Sequence, residues 1–339
     1  MTVPDRPVVL VDAAMPDAPL ARVSEVAELV RYDGEAGLDR RIDLHGDRVV
    51  GLGVQLQTPI GDDRLGRLPS LVVVADCAVG YDNVDVAAAT ARGIAVTHTP
   101  DVLTEATADL TWALILAVAR RLREGDALAR SGAWEGWSPT QLLGLELAGA
   151  TLAILGMGRI GEAVARRGRA FGMEIVYWSR SAQPEVEREL GARRADLDEA
   201  LGAADVVSIH LPLTAETTRL VDARRLAAFK PGAILVNAAR GPIVDEDAVA
   251  DALASGRLAG VGFDVHEKEP EIHPRIAASE RSVLLPHLGS ATVATRERMA
   301  ERMARNLVAV IRGEEPPDRV PEQKGSLSLR EPNPGPDPV

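Results

Sequence analysis

The segment TLAILGMGRIG, residues 151–161, decides the fold of this chain. An apolar run typical of a buried strand leads into three glycines, and a helical pattern begins directly after the last of them. In such an arrangement the first glycine allows a tight turn, the second lets the backbone approach a pyrophosphate, and the third lets helix and strand pack closely. The N–H groups that open the helix then face the phosphates. The segment therefore predicts a dinucleotide site formed by Gly156, Gly158, Arg159, Ile160 and Gly161.

The composition and charge of the chain exclude several classes of protein. Its 339 residues indicate two domains rather than one, and its net charge of −12 argues against nucleic acid or an anionic membrane as a partner. The single cysteine, Cys77, excludes an internal disulfide and is typical of a reducing compartment. The longest apolar run, residues 110–119, is shorter than the ~20 residues that cross a bilayer. We therefore expect a cytoplasmic protein that binds neither membranes nor nucleic acid.

Apolar segments that alternate with helical patterns predict an α/β fold built on parallel sheets with helices on both faces. The predicted strands are residues 7–12, 49–56, 71–75, 94–97, 151–155, 174–178, 206–211, 233–239, 261–265 and 283–285. The predicted helices are residues 23–30, 83–91, 104–130, 222–229, 245–253 and 291–311. Residues 131–149 carry neither pattern. The proline- and charge-rich tail from Pro316 is predicted to be disordered, most strongly over residues 331–339.

Three polar residues, Arg240, Glu269 and His287, each stand within a few residues of the end of a predicted strand. Open α/β sheets bind their ligands at these strand ends. Taken singly, each residue also has a simpler interpretation: Arg240 as a surface arginine in a turn, Glu269 as a solvated acid and His287 as a capping histidine. Together they supply what reduction of a keto acid needs: a planar cation for the carboxylate, a proton donor for the carbonyl oxygen, and a carboxylate that favours the protonated imidazole. We therefore predict that they are the catalytic residues.

The remaining histidines and the cysteine indicate no second site. Histidines 45, 98, 210, 266 and 273 have no comparable partner in the sequence, and we interpret them as structural or surface residues. Together with Cys77 they lack the spacing of metal ligands, so no metal site is predicted. The nucleophile-elbow and P-loop motifs, which are typical of hydrolases and kinases, do not occur in the sequence.

The end of the second strand of the dinucleotide unit indicates which cofactor binds. Enzymes that use NAD place an acidic residue there, which hydrogen-bonds the ribose hydroxyls. This chain instead has Ser179, Arg180 and Ser181. Small hydroxyls and a cation suit a 2′-phosphate, so we expect NADP(H) to be favoured, with NAD(H) as the alternative cofactor.

From residue 49 to residue 317 the chain resembles the D-isomer-specific 2-hydroxyacid dehydrogenases, and most closely the glyoxylate/hydroxypyruvate reductases of that family. The motifs that carry the resemblance are AVGYDNVD (78–85), TPDVLTEATADL (99–110), GMGRIG (156–161), HLPLT (210–214), NAARGPIVDEDA (237–248), FDVHEKEP (263–270) and PHLGSAT (286–292). The resemblance implies reduction of a small 2-keto acid to the D-2-hydroxy acid. Two alternatives stay open: a dehydrogenase for another D-2-hydroxyacid, of D-lactate or 3-phosphoglycerate type, and a corepressor-like protein that senses nicotinamide.

The resemblance also implies an architecture of two Rossmann-like, doubly wound domains. The discontinuous, flavodoxin-like substrate domain would comprise residues 1–100 and 289–317, the NAD(P)-binding Rossmann domain residues 101–288, and a disordered tail residues 318–339. The active site would lie in the cleft between the domains. A homodimer is implied as well, in which residues 131–149 form an arm that carries Trp137 to the partner's substrate pocket.

Finally, the resemblance assigns roles residue by residue. His287 is the implied acid/base, Glu269 its partner, and Arg240 the ligand of the substrate's carboxylate or carbonyl group. The other residues implied to contact the substrate are Leu56, Val79 and Gly80, the last two through their backbone N–H groups. Beyond the glycine motif and residues 179–181, those implied to contact the cofactor are Thr107, His210, Pro212, Thr217, Ala238, Ala239, Asp264 and Gly289. The chain departs from the family at His266, where the motif usually has an aromatic residue, so the packing of that loop stays open.

Overall fold

The structure, a computed structural model of the chain, describes residues 6–325. These residues form two compact units, one of residues 6–103 and 292–325 and one of residues 104–291. The described strands are β1 (Val8–Asp12), β2 (Glu28–Tyr32), β3 (Val49–Val54), β4 (Val73–Asp76), β5 (Ala95–Thr97), β6 (Thr151–Leu155), β7 (Glu174–Trp178), β8 (Arg193–Arg194), β9 (Val206–Ile209), β10 (Ala233–Asn237), β11 (Leu258–Phe263) and β12 (Ser282–Leu284). The described α-helices are α1 (Asp17–Leu20), α2 (Gly34–His45), α3 (Asp62–Gly66), α4 (Val86–Ala91), α5 (Thr104–Ala119), α6 (Leu122–Ser131), α7 (Arg159–Ala170), α8 (Pro184–Leu190), α9 (Leu197–Ala203), α10 (Ala223–Ala228), α11 (Glu246–Ala254), α12 (Pro274–Ala277) and α13 (Val293–Ile311).

The strands of both units pair in parallel, which confirms the predicted α/β class. Polar side chains begin several of the helices between them. Asp85, Asp222, Asp245 and Thr292 each accept the backbone N–H three residues further on, at the start of α4, α10, α11 and α13. An N-cap of this kind stabilises a helix by about 1 kcal/mol, and it fixes the residue at which the helix begins.

The first unit contains a sheet of five described strands in the order β2-β1-β3-β4-β5. Strand β3 reads Val-Val-Gly-Leu-Gly-Val and is buried throughout, because both faces of the sheet are covered. Helix α13 covers one face with Met303 and Leu307. The glycines of β3 make room for it: a Cβ at Gly51 would lie 3.2 Å from the Leu307 side chain, and one at Gly53 would lie 3.3 Å from Met303. The apolar stripe of α13 is therefore part of the core.

The second unit contains a sheet of seven described strands in the order β12-β11-β10-β9-β6-β7-β8. The strand order reverses between β6 and β9, so the carboxyl ends of these two strands form the topological switch point. Helix α5 packs on β11, where two glycines allow a close approach. A Cβ at Gly260 would lie 2.7 Å from Val118, and one at Gly262 would lie 3.0 Å from Leu114. The approach buries much of the apolar α5, which has buried residues from Thr107 to Ala119.

The predicted helix over residues 23–30 is wrong. Residues Val23–Glu25 form a short 3-10 helix, and strand β2 follows it. Strand β2 lies at the edge of the sheet, and each of its residues pairs with β1. Its sequence, Glu-Leu-Val-Arg-Tyr, carries two charges, so pairing with a neighbouring strand rather than the local pattern decides its conformation.

The single long helix predicted over residues 104–130 is two helices, α5 and α6. The break lies at Arg121, whose backbone is left-handed with φ of 52°. At the break the Ala119 carbonyl accepts the N–H of Leu145 at 2.8 Å, and a Cβ at Gly144 would lie 2.2 Å from the same oxygen. A distant segment therefore occupies the position where the helix would have continued.

The prediction of a disordered tail starts too early in the chain. Arg319 forms an antiparallel bridge with Thr97 of β5, and Pro321–Gln323 form a 3-10 helix. Hydrogen bonds to buried backbone groups hold this stretch, so it is ordered although it offers few apolar side chains. The rest of the predicted tail, residues 326–339, lies outside the described residues.

Among residues 6–325, none of the helices combines the length and the apolar character needed to cross a bilayer. Nor does that range bring three His, Cys, Asp or Glu side chains into a cluster suited to a metal ion.

Candidate active site

The glycine motif joins β6 to α7 at the switch point of the second unit. Gly156 has a φ of 99°, and a Cβ there would lie 2.6 Å from the carbonyl oxygen of His210. Both its conformation and its surroundings therefore require glycine. A Cβ at Gly161 would lie 2.1 Å from the Gly156 carbonyl oxygen, so this glycine lets α7 start directly over the turn. Packing within the protein therefore explains why positions 156 and 161 are glycine.

Gly158 differs from the other two, because a Cβ there would meet no protein atom within 4 Å. It is the exposed N-cap residue of α7, and Arg159 and Ile160 form the first turn of that twelve-residue helix. The first N–H groups of a helix have no partner within the helix, and its N-terminus carries partial positive charge. Open backbone beside such a terminus fits a pyrophosphate.

Ser179, Arg180 and Ser181 follow β7, the strand next to β6, and so lie at the same sheet edge as the glycine turn. The guanidinium of Arg194 donates to the carbonyls of Ser179 and Arg180, each at 3.0 Å, and fixes the path of the loop. The Arg180 side chain is exposed, and residues 179–184 include no acidic residue. The loop therefore presents hydroxyl groups and a cation to a ligand at this edge.

The loop after β9 begins at His210, whose carbonyl touches the glycine turn. The imidazole Nε2 is 2.8 Å from Ser208 Oγ, and burial lowers the pKa of His210 to about 3, so the ring is neutral. Thr217 Oγ1 donates to the Pro212 carbonyl at 2.7 Å and closes the loop. The backbone of this loop, rather than the His210 imidazole, borders the proposed phosphate site.

Asp264 holds the loop that carries His287. Its buried carboxylate accepts the N–H of Leu288 at 2.6 Å and that of Gly289 at 2.8 Å, and its own carbonyl accepts the N–H of His287 at 2.8 Å. Burial raises the pKa of Asp264, and the two N–H donors to its carboxylate act in the opposite direction. Thr107 Oγ1 donates to the Gly289 carbonyl at 3.1 Å. Three of the predicted cofactor residues thus lie in one hydrogen-bonded group.

His287 and Glu269 form a hydrogen-bonded pair, in which imidazole Nδ1 lies 3.1 Å from carboxylate Oε2. Burial raises the pKa of Glu269, but the hydrogen bond and charge of His287 and the N–H of His266 outweigh burial and leave the pKa below its usual value. The carboxylate is therefore ionised at neutral pH. The His287 backbone has a φ of 58°, which is strained for a residue other than glycine. The orientation of the imidazole thus depends on the bonds that hold its backbone.

Arg240 follows β10, which pairs with β11, and so stands at the same sheet edge as Glu269. The Asn237 side chain donates to the Arg240 carbonyl at 2.9 Å and shapes the turn that contains Ala238 and Ala239. The next residue is glycine because the two loops touch: a Cβ at position 241 would lie 1.9 Å from the backbone of residue 266. The three predicted catalytic residues are therefore carried by neighbouring loops at one edge of one sheet.

His266 connects two loops of the site, a role that the sequence did not indicate. Its side chain is buried, with Nε2 3.0 Å from the Leu285 carbonyl oxygen, and its backbone N–H donates to Glu269 Oε1 at 3.1 Å. Its Nδ1 lies 3.9 Å from Glu246 Oε1, and burial raises the pKa of that carboxyl group. His266 thereby ties the Glu269 loop to the strand end that leads into the loop of His287, the predicted acid/base. Two of its partners, Leu285 and Glu246, come from distant segments, so no local signal could have indicated them.

Val79 and Gly80, predicted to bind the substrate's carboxylate, follow β4 in the first unit, and Leu56 follows β3. The carbonyl oxygen of Val79 is 2.8 Å from Nδ1 of His98. Within residues 6–325, the N–H groups of Val79 and Gly80 have no hydrogen-bond acceptor. The loop therefore offers two backbone donors. His98, which the sequence suggested only as a structural or surface residue, is what contacts the loop.

The predicted arm comprises residues 131–149; Ser131 is the last residue of α6, and residues 132–149 form neither helix nor strand. Trp134 is 57% exposed, Trp137 83% and Leu143 67%. Three large apolar side chains exposed within ten residues form a patch of the kind found at protein interfaces. Trp137 is thus presented at the surface of the chain rather than packed on its own unit.

A dinucleotide turn at the switch point of a parallel sheet, with an acid/base pair and an arginine at neighbouring strand ends, defines a dinucleotide-dependent oxidoreductase. Residues 112–289 match the family model described as the D-isomer specific 2-hydroxyacid dehydrogenase, NAD binding domain. The chain belongs to this family and is an NAD(P)-dependent oxidoreductase.

Individual relatives extend the match to nearly the whole chain. The chain is 45% identical to a glyoxylate reductase of Thermococcus onnurineus over 96% of its own length and 99% of the relative's. It is 52% identical to a glyoxylate reductase of Aeropyrum pernix over 76% of its length and 78% of the relative's. Among solved structures it is similar, with a TM-score of 0.86 and 37% identity, to an NADPH-dependent glyoxylate/hydroxypyruvate reductase of Sinorhizobium meliloti in complex with NADP and malonate. That match covers 96% of this chain and 99% of the other.

The glycine turn gives a prediction about stability. Gly161→Ala should lower the free energy of unfolding by at least about 2 kcal/mol, because its methyl group would overlap the Gly156 carbonyl oxygen. Gly158→Ala is the matched control, because its methyl group would meet no protein atom and its φ of −86° is allowed for alanine. This variant should lower the free energy of unfolding by less than about 1 kcal/mol. Chemical denaturation of both variants and the wild type measures the difference. Equal stability of Gly161→Ala and the wild type would contradict the packing of the turn.

Proposed function

We propose that the protein reduces glyoxylate or hydroxypyruvate to the corresponding 2-hydroxy acid. The observation that carries the proposal is the 3.1 Å contact between His287 Nδ1 and Glu269 Oε2, at a sheet edge that also holds Arg240. The glyoxylate reductases that match most of the chain, and the Sinorhizobium meliloti reductase of similar structure, support the choice of substrate. Apolar Val79 offers no cation for a phosphate group, which favours an unphosphorylated keto acid.

Reduction adds one hydride to the carbonyl carbon and one proton to the carbonyl oxygen, so that C=O becomes CH–OH. When bound, the nicotinamide supplies the hydride. His287 supplies the proton, and because its Nδ1 faces Glu269, the proton leaves from Nε2. The ionised Glu269 carboxylate stabilises the imidazolium before the transfer and keeps the ring in one orientation.

Binding groups on the chain orient the keto acid for this step. Arg240 presents a planar set of donors to its carboxylate or carbonyl oxygen, and a donor that stabilises a developing oxyanion is worth about 3–4 kcal/mol. The N–H groups of Val79 and Gly80 bind the carboxylate. Leu56 lines the substrate site as an apolar residue and so favours a small substrate.

The cofactor is proposed to be NADPH in preference to NADH. The glycine turn fits the pyrophosphate, and the residues proposed around the nicotinamide are Thr107, Ala238, Ala239, Asp264 and Gly289. Ser179, Arg180 and Ser181 suit a 2′-phosphate on the adenosine ribose, because they offer hydroxyls and a cation where an NAD enzyme has an acid. The NADPH dependence of the Sinorhizobium meliloti relative supports this choice.

We also propose that the protein acts as a homodimer, with residues 132–149 as the arm between subunits. The exposed Trp134, Trp137 and Leu143 support this proposal, since a second copy would remove their apolar surface from water. Trp137 would then reach the partner's substrate site. Sedimentation at micromolar concentration that reports only the monomer mass would contradict the proposal.

His287→Gln should lower kcat for glyoxylate reduction by about 100-fold or more, because general acid catalysis contributes about 10²–10⁴-fold. The matched control is His273→Gln, since His273 also pairs with a carboxylate, Asp247, at 3.0 Å, and should keep wild-type activity. The measurement is the initial rate of NADPH oxidation with glyoxylate and with hydroxypyruvate. A wild type that reduces neither acid would refute the proposed reaction, and an active His287→Gln would remove this residue from it.

Arg180→Ala should raise KM for NADPH about tenfold and change KM for NADH by less than about twofold, because only NADPH has a phosphate for the guanidinium to bind. Arg188→Ala, which removes another exposed arginine from nearby helix α8, should change neither value. Initial rates at saturating glyoxylate give both constants. A similar rise for the two cofactors, or a wild type that prefers NADH, would rule out the proposed phosphate contact.

A further inference from the structure

We propose that residues 318–325, here called the C-terminal segment, are a positioning element of the substrate site. Glu322 of this segment holds Tyr81, the residue after Gly80, and thereby fixes the loop whose Val79 and Gly80 N–H groups bind the substrate's carboxylate. The inference rests on the proposed function, because that function makes this loop the carboxylate site. It assigns a role to residues that the sequence alone suggested to be a disordered tail.

The C-terminal segment is anchored to β5 by a buried glutamine. The side chain of Gln323 is fully buried, accepts the N–H of Val96 at 2.8 Å and donates to the Ile94 carbonyl at 3.0 Å. It also donates to Thr90 Oγ1 at 2.9 Å. In the backbone, the N–H of Val320 donates to the Val96 carbonyl at 3.0 Å. A buried amide with these partners is costly to displace, since moving it would leave several groups unsatisfied.

The start of the C-terminal segment is anchored to α13. The carboxylate of Asp318 is held by the guanidinium of Arg302 through two contacts of 2.7 Å, and its backbone N–H donates to Asn306 Oδ1 at 3.2 Å. Its carbonyl accepts the N–H of His98 at 3.1 Å. Asp318 is buried, so this ion pair is shielded from solvent on one side and resists screening. Both ends of the short segment are thus fixed to the core of the first unit.

From these anchors Glu322 reaches the substrate loop. Its two carboxylate oxygens lie 3.0 and 2.9 Å from the Tyr81 hydroxyl. Burial, followed by the hydrogen bond to Glu322 and its charge, raises the pKa of Tyr81, so the phenol keeps its proton and donates it to the carboxylate. A hydrogen bond to a charged acceptor is among the stronger kinds in proteins.

His98 holds the same loop from its other side. Its Nδ1 is 2.8 Å from the Val79 carbonyl oxygen, and its ring meets the Tyr81 ring edge to face, with centroids 5.3 Å apart. The His98 carbonyl in turn accepts the side-chain N–H of Asn306 at 3.2 Å. The loop is therefore held through a carbonyl and a side chain. Its N–H groups at Val79 and Gly80 meet no acceptor among the described residues and are left for a ligand.

Holding the loop matters because the ordering of flexible donors reduces the affinity for the ligand they bind. With Tyr81 and Val79 fixed in advance, the two N–H groups are in place before the keto acid arrives. Loss of the Glu322 contact should therefore weaken keto acid binding and leave proton donation by His287 and cofactor binding largely unchanged. A selective change in KM separates this positioning role from a merely structural one.

Tyr81→Phe and Glu322→Ala should each raise KM for glyoxylate about fivefold, with kcat and KM for NADPH within about twofold of wild type. Both should also speed hydrogen–deuterium exchange of residues 78–83. Glu322→Gln should restore most of the wild-type KM, because an amide oxygen still accepts a hydrogen bond from the Tyr81 hydroxyl.

The control variant is Glu28→Ala, which removes a carboxylate paired with Arg48 at 2.7 Å at the amino end of β2 and should change neither KM nor exchange in the loop. Unchanged KM and exchange in Tyr81→Phe and Glu322→Ala would overturn the inference, as would an equal rise in KM for NADPH. A wild type that reduces neither keto acid would overturn the proposed function instead. In that case the exchange rates of residues 78–83 would still show whether the C-terminal segment holds the loop.

Discussion

The hydrogen-bonded pair of His287 and Glu269, which we propose as the acid/base pair, depends on one buried carboxylate, that of Asp264. It is 1% exposed and accepts the N–H groups of Leu288 and Gly289, while the Asp264 carbonyl accepts the N–H of His287. Hydrogen bonds to a charged group contribute about 1.5–3 kcal/mol each, whereas a backbone held in a sparsely populated conformation costs about 1–3 kcal/mol. The two bonds to the carboxylate are thus of the size needed to offset the strain of the left-handed His287 backbone. Its imidazole stays directed at Glu269 because the backbone beneath it has little freedom.

Because the strands of the second unit are parallel, other predicted site residues lie at the carboxyl ends of neighbouring strands, at the same edge of the sheet as His287. Strands β10, β11 and β12 are neighbours, so Arg240, Glu269 and His287 lie on adjacent loops although the first and last are far apart in the chain. Glycine at position 241 lets two of these loops touch at backbone distance. The glycine turn follows β6 at that edge, beyond β9, where the strand order reverses. A dinucleotide bound at the turn and a substrate near the acid/base pair would thus share one sheet edge.

The features predictable from sequence are those that a short stretch determines by itself. Strands of valine, isoleucine and leucine, the glycine turn and the position of the three candidate catalytic residues after strands need no knowledge of distant partners. Strand β2 cannot be predicted in this way, because its charged sequence forms a strand through pairing with the neighbouring β1. The same holds for Gln323 and His266, polar side chains whose buried positions are made favourable by carbonyls from other loops. From the sequence alone such residues are interpreted as surface or tail residues. Their polarity can be read from the sequence, whereas the hydrogen bonds that compensate for their burial cannot.

The central claim is that the Glu269 carboxylate orients His287 for proton donation through the contact between Oε2 and imidazole Nδ1. It is tested most directly by kcat for glyoxylate reduction at pH 7, measured for the wild type and Glu269→Gln at saturating NADPH. The amide is close in shape to the carboxylate but lacks its negative charge, and a hydrogen bond to a charged acceptor is roughly twice as strong as a neutral one. The variant should therefore lose about tenfold or more in kcat, with KM for NADPH within about twofold of the wild type. A kcat equal to that of the wild type would contradict the assignment of this role to Glu269.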